Sequence, residues 1–301
     1  MRNRLPVFQR TESGEKGRTA KVRLYLLETG WVKVARALLH REDGFPLLPS
    51  AAVWLAREGD TVWIPVVAYL IVHDDDLVMV DTGLHEMCRT DPVGNIGHIM
   101  ASIIRGFRVP PGTDSKSQIG RLGYAVEQVK YVIISHLHTD HASALEYFSL
   151  ATILLGRGEW EAAQGLLRFQ GGYNRRQFAF PYDFREVPQD PIAPVPPFDR
   201  GYDLFNDGTV VIVPTPGHTI GHQSIVVRLP SQMVLLAGDA VLTERSYREL
   251  SLPGFLPYKG RLRASLEAIR VFSELHPESL VIPGHDPEKW PALKKAPDHY
   301  E

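Results

Sequence analysis

One cysteine, Cys88, is all the chain contains, so no intrachain disulfide can form. A reducing compartment, the cytoplasm, is the expected setting. No stretch approaches the roughly 18 continuous apolar residues of a membrane span. The opening segment, from Met1 to Lys21, is polar and basic and lacks an apolar h-region, so it does not read as a secretory signal. There is no basic surplus either. The formal net charge is −2, which argues against a protein that tracks a phosphate backbone. A small molecule is therefore the expected partner, with no nucleic acid and no membrane span. Apolar residues at 44% and charged residues at 23% are ordinary for a globular chain, and 301 residues suffice for one large core or two modest ones.

What the chain does have is histidine in an unusual place. Directly after the apolar run Tyr131-Val132-Ile133-Ile134 comes Ser135-His136-Leu137-His138-Thr139-Asp140-His141. A strand that ends by delivering His, His, Asp and His at its C-terminal mouth can hold two metal ions side by side. Imidazole nitrogen and carboxylate oxygen suit zinc, and also Fe, Mn or Co. Two such ions about 3.5–4 Å apart can activate one water and clamp an attacking and a leaving oxygen. That combination points to a hydrolase.

Three further sites follow, each just after an apolar strand. Val211-Ile212-Val213-Pro214 leads to Thr215-Pro216-Gly217-His218, Val234-Leu235-Leu236-Ala237 to Gly238-Asp239, and Leu280-Val281-Ile282 to Pro283-Gly284-His285-Asp286. Glycine before each ligand lets the chain turn sharply and approach an ion with its backbone.

The remaining pattern is that of strands and helices in alternation. Val22, Leu24 and Leu26 alternate as a first strand. Apolar runs at 62–72 and 77–80 flank His73-Asp74-Asp75-Asp76, a hairpin. A short helix with a loop is expected over 118–130 and a helix over 142–149. A strand follows at 152–155, then a helix over 158–168 with Trp160, Ala163 and Leu167 on one face. Residues 170–200, rich in proline and aromatics, read as a long irregular surface loop. Asn206-Asp207-Gly208 is a hairpin turn between strands at 203–205 and 209–213. Strands at 224–229 and 233–236 form another hairpin. Leu262, Leu266, Ile269 and Phe272 mark an amphipathic helix before a strand at 280–282. Hairpins with helices after each cluster predict an α+β fold. The expected architecture is an αββα sandwich of two packed mixed β-sheets with helices on the outer faces. Residues 1–20 are expected to be a flexible tail and 21–301 a single domain, with a helical insertion near 84–115 and a loop insertion near 170–200.

His136-x-His138-x-Asp140-His141, then His218, Asp239 and His285, resembles the ligand set of the metallo-β-lactamase fold hydrolases over roughly residues 60–290. Within that superfamily the sequence is most similar to the N-acyl homoserine lactonases. The likeness extends to Tyr69-Leu70 before Val80-Asp81-Thr82-Gly83, Gly221-His222-Gln223-Ser224 and Asp239-Ala240. The resemblance implies that His136, His138 and His218 hold one metal, and that Asp140, His141 and His285 hold the other. Asp239 would bridge both, and Asp81 would orient a ligand histidine. It implies two divalent metal ions, zinc foremost, a metal-bridging hydroxide that attacks a carbonyl, proton transfer by Asp140 or Asp239, and a quorum-quenching lactonase, monomeric or homodimeric. One position departs from the family: Leu242 stands where the lactonases place a substrate-binding tyrosine, with Tyr247 further along. The other substrates found on this fold are aryl esters, organophosphates, phosphodiesters, β-lactams and thioesters. A scaffold built on an inactive hydrolase is the non-enzymatic alternative, and the intact ligand set argues against it.

Other residues have plainer readings. His222 reads as a structural histidine, and His40, His73, His85, His98, His276 and His299 as surface or packing residues. Cys88 lacks the base pattern of a nucleophile. Ile96, Met100, Ile103, Ile104 and Phe107 recur at helical spacing over 94–107. That stretch reads either as a helix packed on the sandwich or in a dimer contact, or as a lid whose Met100 and Phe107 wall a pocket for an acyl chain.

Overall fold

A computed structural model describes residues 4–9, 20–43, 55–165, 172–255 and 258–301. Two mixed sheets form its middle layers. The first comprises β1 (Val22–Ala35), β2 (Thr61–His73), β3 (Asp76–Val80), β4 (Gly106–Arg108), β5 (Val129–Ile133), β6 (Thr152–Leu155) and β7 (Asp183–Glu186), in the order β4-β1-β2-β3-β5-β6-β7. The second comprises β8 (Asp190–Val195), β9 (Phe198–Asp203), β10 (Val210–Pro214), β11 (Gln223–Arg228), β12 (Met233–Gly238) and β13 (Leu280–Pro283), in the order β13-β12-β11-β10-β9-β8. Parallel pairing joins β3 to β5, β5 to β6, β6 to β7 and β12 to β13, and the other pairs are antiparallel.

The alternation of side chains along each strand builds the layers. Leu24, Leu26, Tyr69, Ile71, Val78 and Ile133 point to the second sheet and meet Val210, Ile212, Ile225 and Leu236. Their neighbours Tyr25, Leu27, Leu70, Val72, Met79 and Val132 point outward and are covered by Ile119, Leu145, Phe148 and Ala163. Strands buried on both faces read as the unbroken apolar runs seen in the sequence. On the far side, helix Lys259–Leu275 lays Leu262, Leu266, Ile269 and Phe272 over the second sheet. The result is the expected αββα sandwich. No helix among the described residues is long and apolar enough to cross a membrane.

Four local expectations are corrected. Part of the supposed tail is built in: the Phe8 N–H donates to the Glu186 carbonyl at 2.8 Å, and the Phe8 ring packs edge-on to Tyr131 and Tyr202. Residues 10–19 of that tail lie outside the described residues. Over 142–149 there is only a 3-10 turn, Leu145–Phe148. A helix there would need the carbonyls of His141 and Ser143, but the Thr82 hydroxyl and the Asn95 amide take them. The helix predicted at 158–168 spans Glu159–Gln164, and Leu167 lies outside the described residues. Finally, 170–200 is not an irregular loop. From 172 onward it holds the 3-10 turn Arg175–Phe178, β7, β8 and β9. The prolines there sit on edge strand β8 and in the turn that follows it, where missing ladder donors are tolerated.

The insertion over 94–107 also divides. Gly97, at φ 82°, separates helices Pro92–Ile96 and His98–Ile103, and Phe107 belongs to β4 opposite Val32. Phe8→Ala should lower stability by about 3 kcal/mol in denaturant titration. A change near zero would return the N-terminal residues to the status of a tail.

Candidate metal centre

Every residue predicted as a ligand lies just beyond a strand's C-terminal end, at one rim of the sandwich. The loop after β5 carries His136, His138, Asp140 and His141. The loop after β10 carries His218. Asp239 follows β12, and His285 follows β13. The parallel β12–β13 pair sets Gly238 opposite Pro283, so Asp239 and His285 leave the sheet side by side. A Cβ on Gly284 would lie 2.5 Å from Asp239 Oδ1, so glycine is required for that approach.

The ligand atoms fall into two groups, His136, His138, His218 and Asp239 in one and Asp140, His141 and His285 in the other, each within 4.8 Å. Asp239 faces both. Its Oδ2 lies 3.2 Å from His218 Nε2 and 3.8 Å from His136 Nε2. Its Oδ1 lies 3.1 Å from His285 Nε2 and 3.3 Å from His141 Nε2. Asp140 Oδ2 completes the second group, 3.4 Å from His285 Nε2 and 3.8 Å from His141 Nε2. In the first group His138 Nδ1 is 2.9 Å from His218 Nε2.

Hydrogen bonds outside the cluster assign the tautomers. Asp81 accepts from the Ser135 N–H at 2.7 Å, the Ser135 hydroxyl at 2.8 Å and His141 Nδ1 at 2.8 Å. His136 Nδ1 lies 3.1 Å from the Ser135 hydroxyl oxygen, and His285 Nδ1 donates to the Pro65 carbonyl at 2.8 Å. With each Nδ1 committed outward, each Nε2 lone pair turns inward. His136 Nε2, His141 Nε2 and Asp239 Oδ1 are buried without a hydrogen-bond partner. Three orphaned ligand atoms converging from two sides fit a pair of divalent cations, since buried polar groups are otherwise satisfied.

The electrostatics agree. Burial and the surrounding imidazoles press His136 well below the usual histidine range, which keeps it neutral. Burial likewise depresses His218. Burial opposes the charged form of His285, but Asp239 and Asp140 outweigh it and raise its pKa to about 9. His141 is raised well above its ordinary value because Asp239, Asp81 and Asp140 overcome its burial. Asp239, despite complete burial, is held well below the carboxylate range by His285, His141 and His218. The pocket thus favours positive charge.

The remaining predicted residues occupy distinct places. His222 is kept neutral, its pKa lowered to about 3 by burial. Its Nδ1 faces the Thr215 hydroxyl at 2.9 Å and its Nε2 accepts the Ala240 N–H at 3.2 Å, so both nitrogens are used structurally. Leu242, Met100 and Phe107 meet in one apolar cluster with Val32, Leu84 and Ile104, beside the rim. Tyr247 is buried under helix Lys259–Leu275, and its hydroxyl donates to Glu244 at 3.4 Å rather than to the cluster of ligands. Cys88 is buried, and burial pushes its thiol up to about 11. Sequence reasoning missed Glu159. This fully buried carboxylate accepts the N–H groups of Leu137 and Gly221, next to ligand positions. Its place in the first turn of a helix gave no sign of that.

The profile of the metallo-β-lactamase superfamily matches residues 61–285. The chain belongs to that superfamily, and with this fold and site it is a metal-dependent hydrolase. The N-acyl homoserine lactonase AttM of Rhizobium radiobacter is 35% identical over 93% of this chain and 98% of its own length. An N-acyl homoserine lactonase of Bacillus thuringiensis is 27% identical over 80% of this chain and 89% of its own. Among solved structures, an N-acyl homoserine lactone hydrolase with N-hexanoyl-L-homoserine at its catalytic metal centre superposes with a TM-score of 0.74 at 21% identity, covering 94% of this chain and all of that one. The dizinc quorum-quenching lactonase AidC gives a TM-score of 0.60 at 15% identity over 95% of each chain. At such identities the structural likenesses speak for the fold.

Asp239→Asn leaves one acceptor oxygen for two groups. Metal analysis should then find a loss of about one equivalent per chain, and turnover should fall by at least roughly 100-fold; two tightly held equivalents would contradict the shared-carboxylate geometry. Cys88→Ala should leave turnover within about twofold of the parent, since a buried thiol with a raised pKa is a poor nucleophile.

Proposed function

We propose that this hydrolase opens N-acyl homoserine lactones, or closely related lactones, and so quenches a diffusible acyl signal. The observation that carries the reading is the Asp239 carboxylate, whose two oxygens each face a different group of ligands. The relatives named N-acyl homoserine lactonase, matched over nearly their full lengths, support the substrate class. Zinc is the cation we assign, because five imidazoles and one carboxylate besides the shared Asp239 suit a borderline ion and because a structural neighbour is a dizinc enzyme. The single buried cysteine fits a cytoplasmic setting.

His136, His138 and His218 would hold one ion, Asp140, His141 and His285 the other, with Asp239 between them. When bound, the ions supply an acidified water and a Lewis-acidic contact for the lactone carbonyl oxygen. The chain's own groups do the rest. Asp81 holds the His141 imidazole and the Pro65 carbonyl holds that of His285, so neither ring must turn during turnover. Asp140 is the most exposed carboxylate of the set, at 16%. We assign it the proton shuttle: it takes the proton released as water's oxygen bonds the carbonyl carbon and returns it to the ring oxygen as the C–O bond breaks. Lactone and water thus become a hydroxy acid, with no serine, cysteine or lysine nucleophile.

Leu242 brings no hydroxyl to the position where the lactonases have tyrosine. It joins Met100 and Phe107 in the apolar cluster instead, and we assign that cluster to the acyl chain. This substitution also motivates the second reading, another substrate on the same centre: an aryl ester, organophosphate, phosphodiester, β-lactam or thioester. Turnover by the metal-loaded protein should be greatest on acyl homoserine lactones in a panel that adds simple lactones, aryl esters, phosphotriesters and a chromogenic cephalosporin. Preference for any of the last three would favour the second reading. Met100→Ala and Phe107→Ala should raise KM for long-chain lactones more than for short ones. Equal effects would remove the acyl-pocket assignment.

A further inference from the structure

Glu159 opens the helix Glu159–Gln164 and has no exposed surface. A glutamate in a first helical turn is ordinarily a solvated partner of the helix dipole. This one points into the metal-bearing end of the fold. Its Oε1 accepts the Leu137 N–H at 2.9 Å, and its Oε2 accepts the Gly221 N–H at 3.1 Å. Leu137 stands between His136 and His138. Gly221 stands in the loop that runs from His218 to His222. A third segment reaches the same carboxylate through the Tyr173 hydroxyl, which hydrogen-bonds it. Tyr173 also forms an antiparallel bridge with His138 and sets its ring 5.2 Å from that imidazole.

The close approach is exacting on the other side as well. A Cβ on Gly221 would lie 2.5 Å from Glu159 Cβ and 2.6 Å from Glu159 N, so only glycine lets the His218 loop reach the carboxylate. The second group of ligands hangs from different anchors, Asp81 for His141 and the Pro65 carbonyl for His285.

We propose that Glu159, which itself ligates nothing, is a positioning residue: it ties the His136–His138 loop to the His218 loop and so sets the affinity for the cation those three imidazoles share. The proposal rests on the two-cation reading of the site. Glutamine at 159 preserves shape but turns an amide donor toward one of the two backbone N–H groups, so one tie is lost. The other group keeps its anchors.

The test is titration of the metal-depleted full chain with Co²⁺, followed by visible absorption and chelator competition. The wild type should take up two equivalents. Glu159→Gln should bind one equivalent with unchanged affinity and the other at least tenfold more weakly, with an altered d–d spectrum for the weakened one. Wild-type affinity and spectrum for both equivalents, or equal weakening of both, would overturn the proposal. Should circular dichroism show that variant unfolded, Tyr173→Phe removes one donor and leaves both backbone ties. It should weaken the same equivalent severalfold, and unchanged binding would overturn the proposal. A wild type that binds fewer than two equivalents defeats the two-cation reading itself, a result distinct from failure of the variants alone.

Discussion

A single carboxylate with a different group of ligands at each oxygen is the constraint on which this structure turns. Asp239 can face both groups only if four strand ends finish at one rim and two of them, β12 and β13, run parallel. It also needs a neighbour without a side chain at Gly284. The sandwich supplies that frame by burying both faces of its central strands, which leaves the loops beyond their C-terminal ends free to carry polar groups. The rim is therefore polar by design of the topology, while the layers beneath it are almost wholly apolar.

Packing histidines and aspartates this closely is costly unless each polar atom has a task. The outward nitrogens are engaged by Asp81, Ser135 and the Pro65 carbonyl. The inward atoms face one another, and their electrostatic balance favours positive charge: depressed carboxylate at Asp239, elevated imidazoles at His141 and His285. The inward-facing groups and the residues that orient them are thus separate sets. One set would hold the ions, and a second, comprising Asp81, Ser135, the Pro65 carbonyl and the carboxylate of Glu159, orients the first.

Much of this was legible in the sequence because the ligands are local signals. His136 to His141 form one short run after a strand, and His218, Asp239 and His285 each follow an apolar run and a glycine. The strands themselves announced their periodicity, and so did the faces of helix Lys259–Leu275. Glu159 was not legible, because burial of a first-turn glutamate depends on two loops remote in the chain. Phe8 was hidden within a polar segment, and the strands after 182 were masked by prolines that edge positions accommodate. The helix expected over 142–149 failed for a tertiary reason: Thr82 and Asn95 take the carbonyls it needed. At Leu242 the resemblance pointed to a departure from the lactonases, and the structure adds that the side chain joins Met100 and Phe107 in an apolar cluster.

The most direct test of the shared-carboxylate centre is anomalous diffraction from crystals of the zinc-loaded protein, collected on both sides of the metal absorption edge. The account predicts two peaks about 3.5–4 Å apart, one on the His136–His138–His218 side of Asp239 and one on the Asp140–His141–His285 side. A single peak, or two peaks with the Asp239 carboxylate turned away from either, would contradict it.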